Sequence, residues 1–156
     1  MDEQAVIDRI TALLPDAQRQ TVEGDTFFFW GDDRQIPFAT LVTKDAHDAA
    51  PVSDLARDGV YRLNVGVGKE TYTRMFGPPP PHPDGWRVVE TGHDYSALDT
   101  LMPNPTYSPM SWVSVLNPSE ATLAEVEPLL TEAYENAEPQ AKARLAKKEA
   151  NSDQDA

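Results

Sequence analysis

Three polar residues near the middle of the chain are of the types that hold an anion. Arg62 and Asn64 stand two apart, so in an extended strand they share a face, and Lys44 closes the strand expected beside them. Arginine supplies a planar fork of N–H donors that matches a carboxylate, and asparagine an orienting amide. On this reading Lys44, Arg62 and Asn64 bind a ligand, and Tyr107 and Trp112, near the proline-rich loops, line the same cleft. The competing reading pairs Arg62 and Lys44 with nearby acids such as Asp45 and Asp58, in solvated ion pairs worth about 0–1 kcal/mol.

A second constellation is His82, His93 and Asp94, with His47 lying apart from it. His93 beside Asp94 has the composition of a proton shuttle, which makes these two the catalytic candidates. The spacing matches no metal-ligand motif, so no metal is expected, and nothing else implies a cofactor. The chain has no cysteine, which excludes disulfides and thiolate chemistry. No serine stands in a Gly-x-Ser-x-Gly elbow. Gly66-Val-Gly68 lacks the further glycines and the Lys-Ser/Thr ending of a phosphate loop. Phe27–Trp30 reads as core if both faces of its strand are covered, and as a ligand or partner surface if one face is open.

The elements that must position these residues follow from periodicity. Val6, Ile7, Ile10, Leu13 and Leu14 form the apolar stripe of a helix over 3–14, opened by Asp2 and closed by Pro15. Residues 19–23 and 26–30 flank Gly24-Asp25 as a hairpin, and Ile36–Thr43 is a further strand. Residues 53–57 suit one helical turn. Val60–Val67 alternates as a strand and Lys69–Phe76 is a short helix ended by Gly77. After the corner Pro78–Pro81, an edge strand is expected at Trp86–Glu90 and a helical turn at Tyr95–Leu101. Trp112–Leu116 is a central strand. A helix from Thr122 carries Leu123, Val126, Leu130, Ala133, Tyr134 and Ala137 on one stripe, with Pro128 inside it as a kink.

Hairpin connections dominate and no strand–helix–strand alternation is sustained. The fold class is therefore α+β, one domain with a mainly antiparallel sheet and helices packed on it. Residues 1–137 form the domain, and residues 138–156 a frayed helix and disordered tail.

The 156 residues carry a formal charge of −13, from 26 acids and 13 bases. From residue 138 onward four acids balance four bases, so the whole excess lies on the body. Such a surface repels phosphate backbones, which makes nucleic acid an improbable partner. The acidic start lacks the basic and apolar regions of a signal peptide, and no apolar run approaches the about 20 residues of a membrane span. The default location is the cytoplasm, as a monomer or homodimer.

Trp112–Ser119 followed by Leu123–Ala137 resembles the C-terminal strand–helix unit of MmcQ/YjbR-like proteins, and Phe38–Asp45 resembles their central hairpin strand. A nearer resemblance is to a family of small proteins known only as a domain of unknown function. It rests on Pro37–Asp45, Gly59–Val67, Phe76-Gly77, Pro105–Tyr107 and Trp112-Val113. The resemblance implies a YjbR-like α+β fold, and for the wider family DNA binding. YjbR-like proteins commonly carry an Asn-Lys pair before the strand-opening aromatic, where this chain has Pro109-Met-Ser111. The expected function is a non-catalytic module that binds a small ligand or a protein. The alternative is a small cofactor-independent enzyme acting on a carboxylate-bearing substrate.

Overall fold

The first helix, α1 (Glu3–Leu13), is started by its own sequence: the Asp2 carboxylate accepts the Ala5 N–H at 2.9 Å. The computed structural model describes residues 1–154. After α1 come β1 (Gln18–Val22), β2 (Asp25–Phe29), β3 (Ala39–Val42), β4 (Arg62–Gly66), α2 (Lys69–Phe76), β5 (Met102–Pro103), β6 (Trp112–Leu116) and α3 (Glu120–Gln154). The six strands form one antiparallel sheet in the order β1-β2-β3-β4-β6-β5. This is a single α+β domain.

Strand alternation sends two unlike sets of side chains to the two faces. Phe28, Ala39, Leu41, Leu63, Val65, Val113 and Val115 point to one face and pack with Val6 and Ile10 of α1, Tyr72 of α2 and the α3 stripe Leu123, Val126, Leu130 and Ala133. All three helices thus cover one side. The other face carries Phe27, Thr40, Val42, Arg62, Asn64, Trp112, Ser114 and Leu116. Loops cover part of it: Leu55, Val60, Tyr95 and Met102 pack on Val42 and Leu116 in a second, smaller core.

α3 begins two residues before the expected Thr122, because Ser119 is the cap: its hydroxyl accepts the Thr122 N–H at 3.2 Å. The helix passes through Pro128 and continues past Pro139 to Gln154. Each proline removes an amide donor, yet both prolines are exposed, as are Ala124 and Glu135, the residues whose carbonyls lose a partner. Those carbonyls stand on the solvent side of the helix, away from the buried stripe. Ala141 is fully buried, and Arg144 donates from Nε and Nη2 to Asp33 at 2.6–3.1 Å. The stretch from 138 onward, expected to be a frayed helix and disordered tail, is helical through Gln154 and contributes buried contacts up to Arg144. Residues 155 and 156 of that expected tail lie outside the described residues.

Trp86–Glu90 is not a strand. Its one ladder-like bond is Val89 N–H to the Pro105 carbonyl at 2.8 Å, and the prolines around it deny further donors. Tyr95–Leu101 is not helical: Tyr95 and Ser96 lie in a turn, and Leu98 makes an isolated bridge to Leu116.

The Arg144–Asp33 pair predicts a pH effect. Its hydrogen bonds from Arg144 hold the Asp33 carboxyl below the usual carboxylate range, against the opposing effect of burial. A carboxyl lowered in the folded state stabilises it above the unfolded value of about 4, and that contribution fades as the pH falls through the lower folded value. Arg144→Ala is expected to cost about 1–2 kcal/mol at neutral pH, and the gap to the parent protein should close on acidification below about pH 4. A gap that stays constant down to pH 2 would contradict this assignment.

Candidate functional site

The candidate site lies on the helix-free face, where the loops leave a cavity of about 270 Å³ over β2, β3, β4 and β6. Alternation places its floor. Phe27, Thr40 and Asn64 are successive cross-strand partners in one row, continued by the buried Ser114 beneath, and Val42 and Arg62 lie in the next row but one along the strands. Trp112 and Tyr107 form one wall, with ring centroids 6.3 Å apart. Ile36, Pro37 and Met110 form the rim.

Trp112 reaches its position because β4 has a glycine opposite it. Gly66 and Trp112 are cross-strand partners, and a Cβ on Gly66 would come within 2.8 Å of the indole. Tyr107 is fixed by Asn104, whose side-chain carbonyl accepts the N–H groups of Thr106 and Tyr107 at 2.9 and 2.8 Å. Ser111, in the left-handed conformation at φ 67°, then turns the chain into β6.

The polar floor is a closed network. The Asn64 carbonyl accepts from Arg62 Nε (2.8 Å), Asn104 Nδ2 (3.0 Å) and Ser114 Oγ (2.7 Å), and the Asn64 amide donates to Thr40 Oγ1 at 3.0 Å. Arg62 Nη1 donates to Asp48 Oδ2 (2.7 Å) and Ser53 Oγ (2.8 Å), and Nη2 to Asp48 Oδ1 (3.3 Å). Four of the five guanidinium N–H groups are thereby used. Asp48 also accepts from Thr106 Oγ1 at 2.5 Å. The Arg62 and Asp48 side chains are 2% and 0% exposed. This is a buried, neutralised ion pair and not a cation held ready for an anion.

Lys44 does not line the cavity. Its ammonium donates to the Glu23 carbonyl and pairs with Asp25 at 3.3 Å. Asp45 and Asp58, the acids first considered as partners, are not used so; Asp45 instead accepts the Leu55 N–H. His93 contacts Thr91 and packs edge-on against Phe76 at 5.6 Å, and Asp94 caps Ser96. Neither lines the cavity. His82 is exposed in the proline loop. Of the residues singled out in the sequence, the cavity brings together Phe27, Arg62, Asn64, Tyr107 and Trp112.

It adds His47, which the sequence spacing set apart. His47 sits in a 3-10 turn (Asp45–His47), lines the cavity, packs edge-on against Phe27 and meets Asp25 Oδ2 through Nε2 at 2.6 Å. Burial raises the Asp25 carboxyl, but hydrogen bonds from His47, Thr43 and Lys44 together outweigh it and hold the group below its ordinary value. Asp25 is therefore an ionised, acceptor-only partner. Sequence reasoning missed Thr40, Asp48, Ser53 and Asn104 as well. Thr40 was accessible through the alternation of β3, whereas Asp48, Ser53 and Asn104 reach the floor from loops.

Among the described residues, no cluster of three or more His, Asp or Glu could hold a metal ion, and no helix is long and apolar enough to cross a membrane. A second cleft, of about 370 Å³, lies between residues 32–35 and 144–148, but its Arg144 is engaged by Asp33. No curated protein and no solved structure matches the chain, so the likeness to MmcQ/YjbR-like proteins stands on the sequence resemblance alone. The chain belongs to DUF6194, a family of unknown function, matched over residues 1–147.

Proposed function

We propose that this domain binds a small, uncharged, ring-bearing molecule in the cavity on the helix-free face of its sheet. The observation that carries this reading is the pairing of an aromatic wall with a floor whose charges cancel. Phe27, Tyr107 and Trp112 offer ring surface, and the Arg62 guanidinium that lines the cavity is neutralised by Asp48. Apolar walls with a few fixed polar groups are the usual make-up of a small-molecule site. A carboxylate ligand would find one spare N–H of Arg62 beside a buried carboxylate, on a chain already at −13. The catalytic alternative built on His93 and Asp94 draws nothing from this cavity, since neither residue lines it.

Calorimetric titration with anisole and with benzoate, rings of similar size and different charge, tests the reading. Anisole should bind saturably and at least about tenfold tighter than benzoate, a difference of about 1.4 kcal/mol. Tighter binding of benzoate would restore the anion pocket. Binding of neither ring would turn attention to a protein partner, for which the exposed rim residues Ile36, Tyr107 and Met110 are the supporting feature.

A further inference from the structure

Resting on the cavity reading above, we propose that His47 is the fixed hydrogen-bond acceptor of this site, and that its ligands are rings bearing an O–H or N–H donor, of which phenols are the simplest class.

The imidazole is anchored by Asp25. Its side chain is 5% exposed and takes the Thr43 N–H (2.8 Å), the Thr43 hydroxyl (3.0 Å), the Lys44 ammonium (3.3 Å) and His47 Nε2 (2.6 Å). An ionised carboxylate can only accept, so Nε2 carries the hydrogen in that contact. When the imidazole is neutral, a hydrogen on Nε2 leaves the lone pair on Nδ1 free to accept, and the ¹⁵N readout below checks that form directly. Nδ1 has no partner among the described residues, and His47 lines the cavity. The carboxylate at one end and the edge-on Phe27 ring at 6.5 Å hold the imidazole in place. The charged groups facing it are Asp25 and, beyond that, Lys44.

The remaining polar atoms of the floor offer little competition as acceptors. Asn64 Oδ1 already takes three donors and Asn104 Oδ1 takes two. Thr40 Oγ1 accepts from Asn64. What the floor has left is donors: the fifth Arg62 N–H and the Thr40 hydroxyl hydrogen. A phenol suits both sides, since its oxygen accepts from such donors while its hydrogen is given to His47 Nδ1. Two readouts separate this role from simple shape.

The first is the ratio of affinities for phenol and anisole, which differ in having or lacking the donor. The parent protein should prefer phenol by about five- to tenfold, the discrimination one fixed hydrogen bond supplies. In His47→Phe, which keeps a ring and removes the acceptor, the ratio should fall to near one. The second uses the unaltered protein with ¹⁵N-labelled histidine: Nδ1 of His47 should show the shift of an unprotonated ring nitrogen, and that shift should move on adding phenol and not on adding anisole. Equal affinities in the parent protein, an unchanged ratio in His47→Phe, or a free protein with the hydrogen on Nδ1 would each overturn the assignment of His47 while leaving the cavity standing. Failure of both rings to bind would overturn the cavity reading and this one together.

Discussion

Asp48→Ala should destabilise the fold by about 3–5 kcal/mol, the largest effect expected of any single change at this site. The reason is electrostatic. Arg62 is 2% exposed and Asp48 is the countercharge beside it, accepting from both Nη1 and Nη2. Removing the carboxylate leaves a buried guanidinium without its countercharge, and a buried unpaired charge costs several kcal/mol even among hydrogen-bonding neighbours. It also strands the Thr106 hydroxyl, which donates to the same carboxylate. A surface pair would behave differently, at about 0–1 kcal/mol. The double change Asp48→Leu with Arg62→Met removes both charges and should recover most of the loss, since a well-packed apolar replacement of a buried pair is often neutral. Urea denaturation of the three proteins measures this. A loss below about 1 kcal/mol for Asp48→Ala would mean that solvent reaches the pair.

Gly66→Ala is the second change with a large expected effect, because it acts on stability and on the cavity together. A Cβ there would lie 2.8, 3.0 and 3.1 Å from three atoms of the Trp112 indole, closer than side chains settle. The clash is with a rigid bicyclic ring lying across the strand pair, so the ring must leave its seat or the strands must part. Overpacking of this kind costs about 1–3 kcal/mol. Displacing the indole also removes one wall of the cavity, and anisole binding should weaken by about tenfold or more. Trp112→Phe, a smaller ring over the same glycine, should keep the fold and lose less affinity. Unchanged anisole affinity in Gly66→Ala would show that Trp112 does not shape the site.

The sheet and the site differed in how far they were legible from the chain. The period-two alternation at Val60–Val67 and Trp112–Leu116 marks two strands that prove to be neighbours, and it places Arg62 and Asn64 on one face. The helical stripes over 3–14 and from Leu123 onward gave the layer that covers the opposite face. Failures fell where local pattern is weak. Trp86–Glu90 has strand composition, but the prolines nearby leave too few donors for a ladder. Residues 138–156 read as a frayed helix and tail, yet Pro139 sits on the exposed side of a helix still held by Ala141 and Arg144.

For the site, the sequence offered charges without their partners. Lys44 and Arg62 look alike as cations in a strand-rich region. Asp25 takes one and Asp48 the other, at separations of 19 and 14 residues that no local rule connects. His47 and Asp25 are 22 residues apart and meet only because Asp25 begins β2 and His47 lies in the turn that follows β3. The row Phe27, Thr40, Asn64, Ser114 exists only once strand register is known.

The central claim is that the helix-free face holds a site for an uncharged ring, and a ¹H–¹⁵N correlation spectrum titrated with anisole tests it most directly. The account predicts saturable shifts confined to the backbone amides of Thr40, Val42, Arg62, Asn64 and Tyr107 and to the indole N–H of Trp112. Shifts that cluster instead at residues 32–34 and 144–148, or a spectrum unmoved at the solubility limit of anisole, would contradict it.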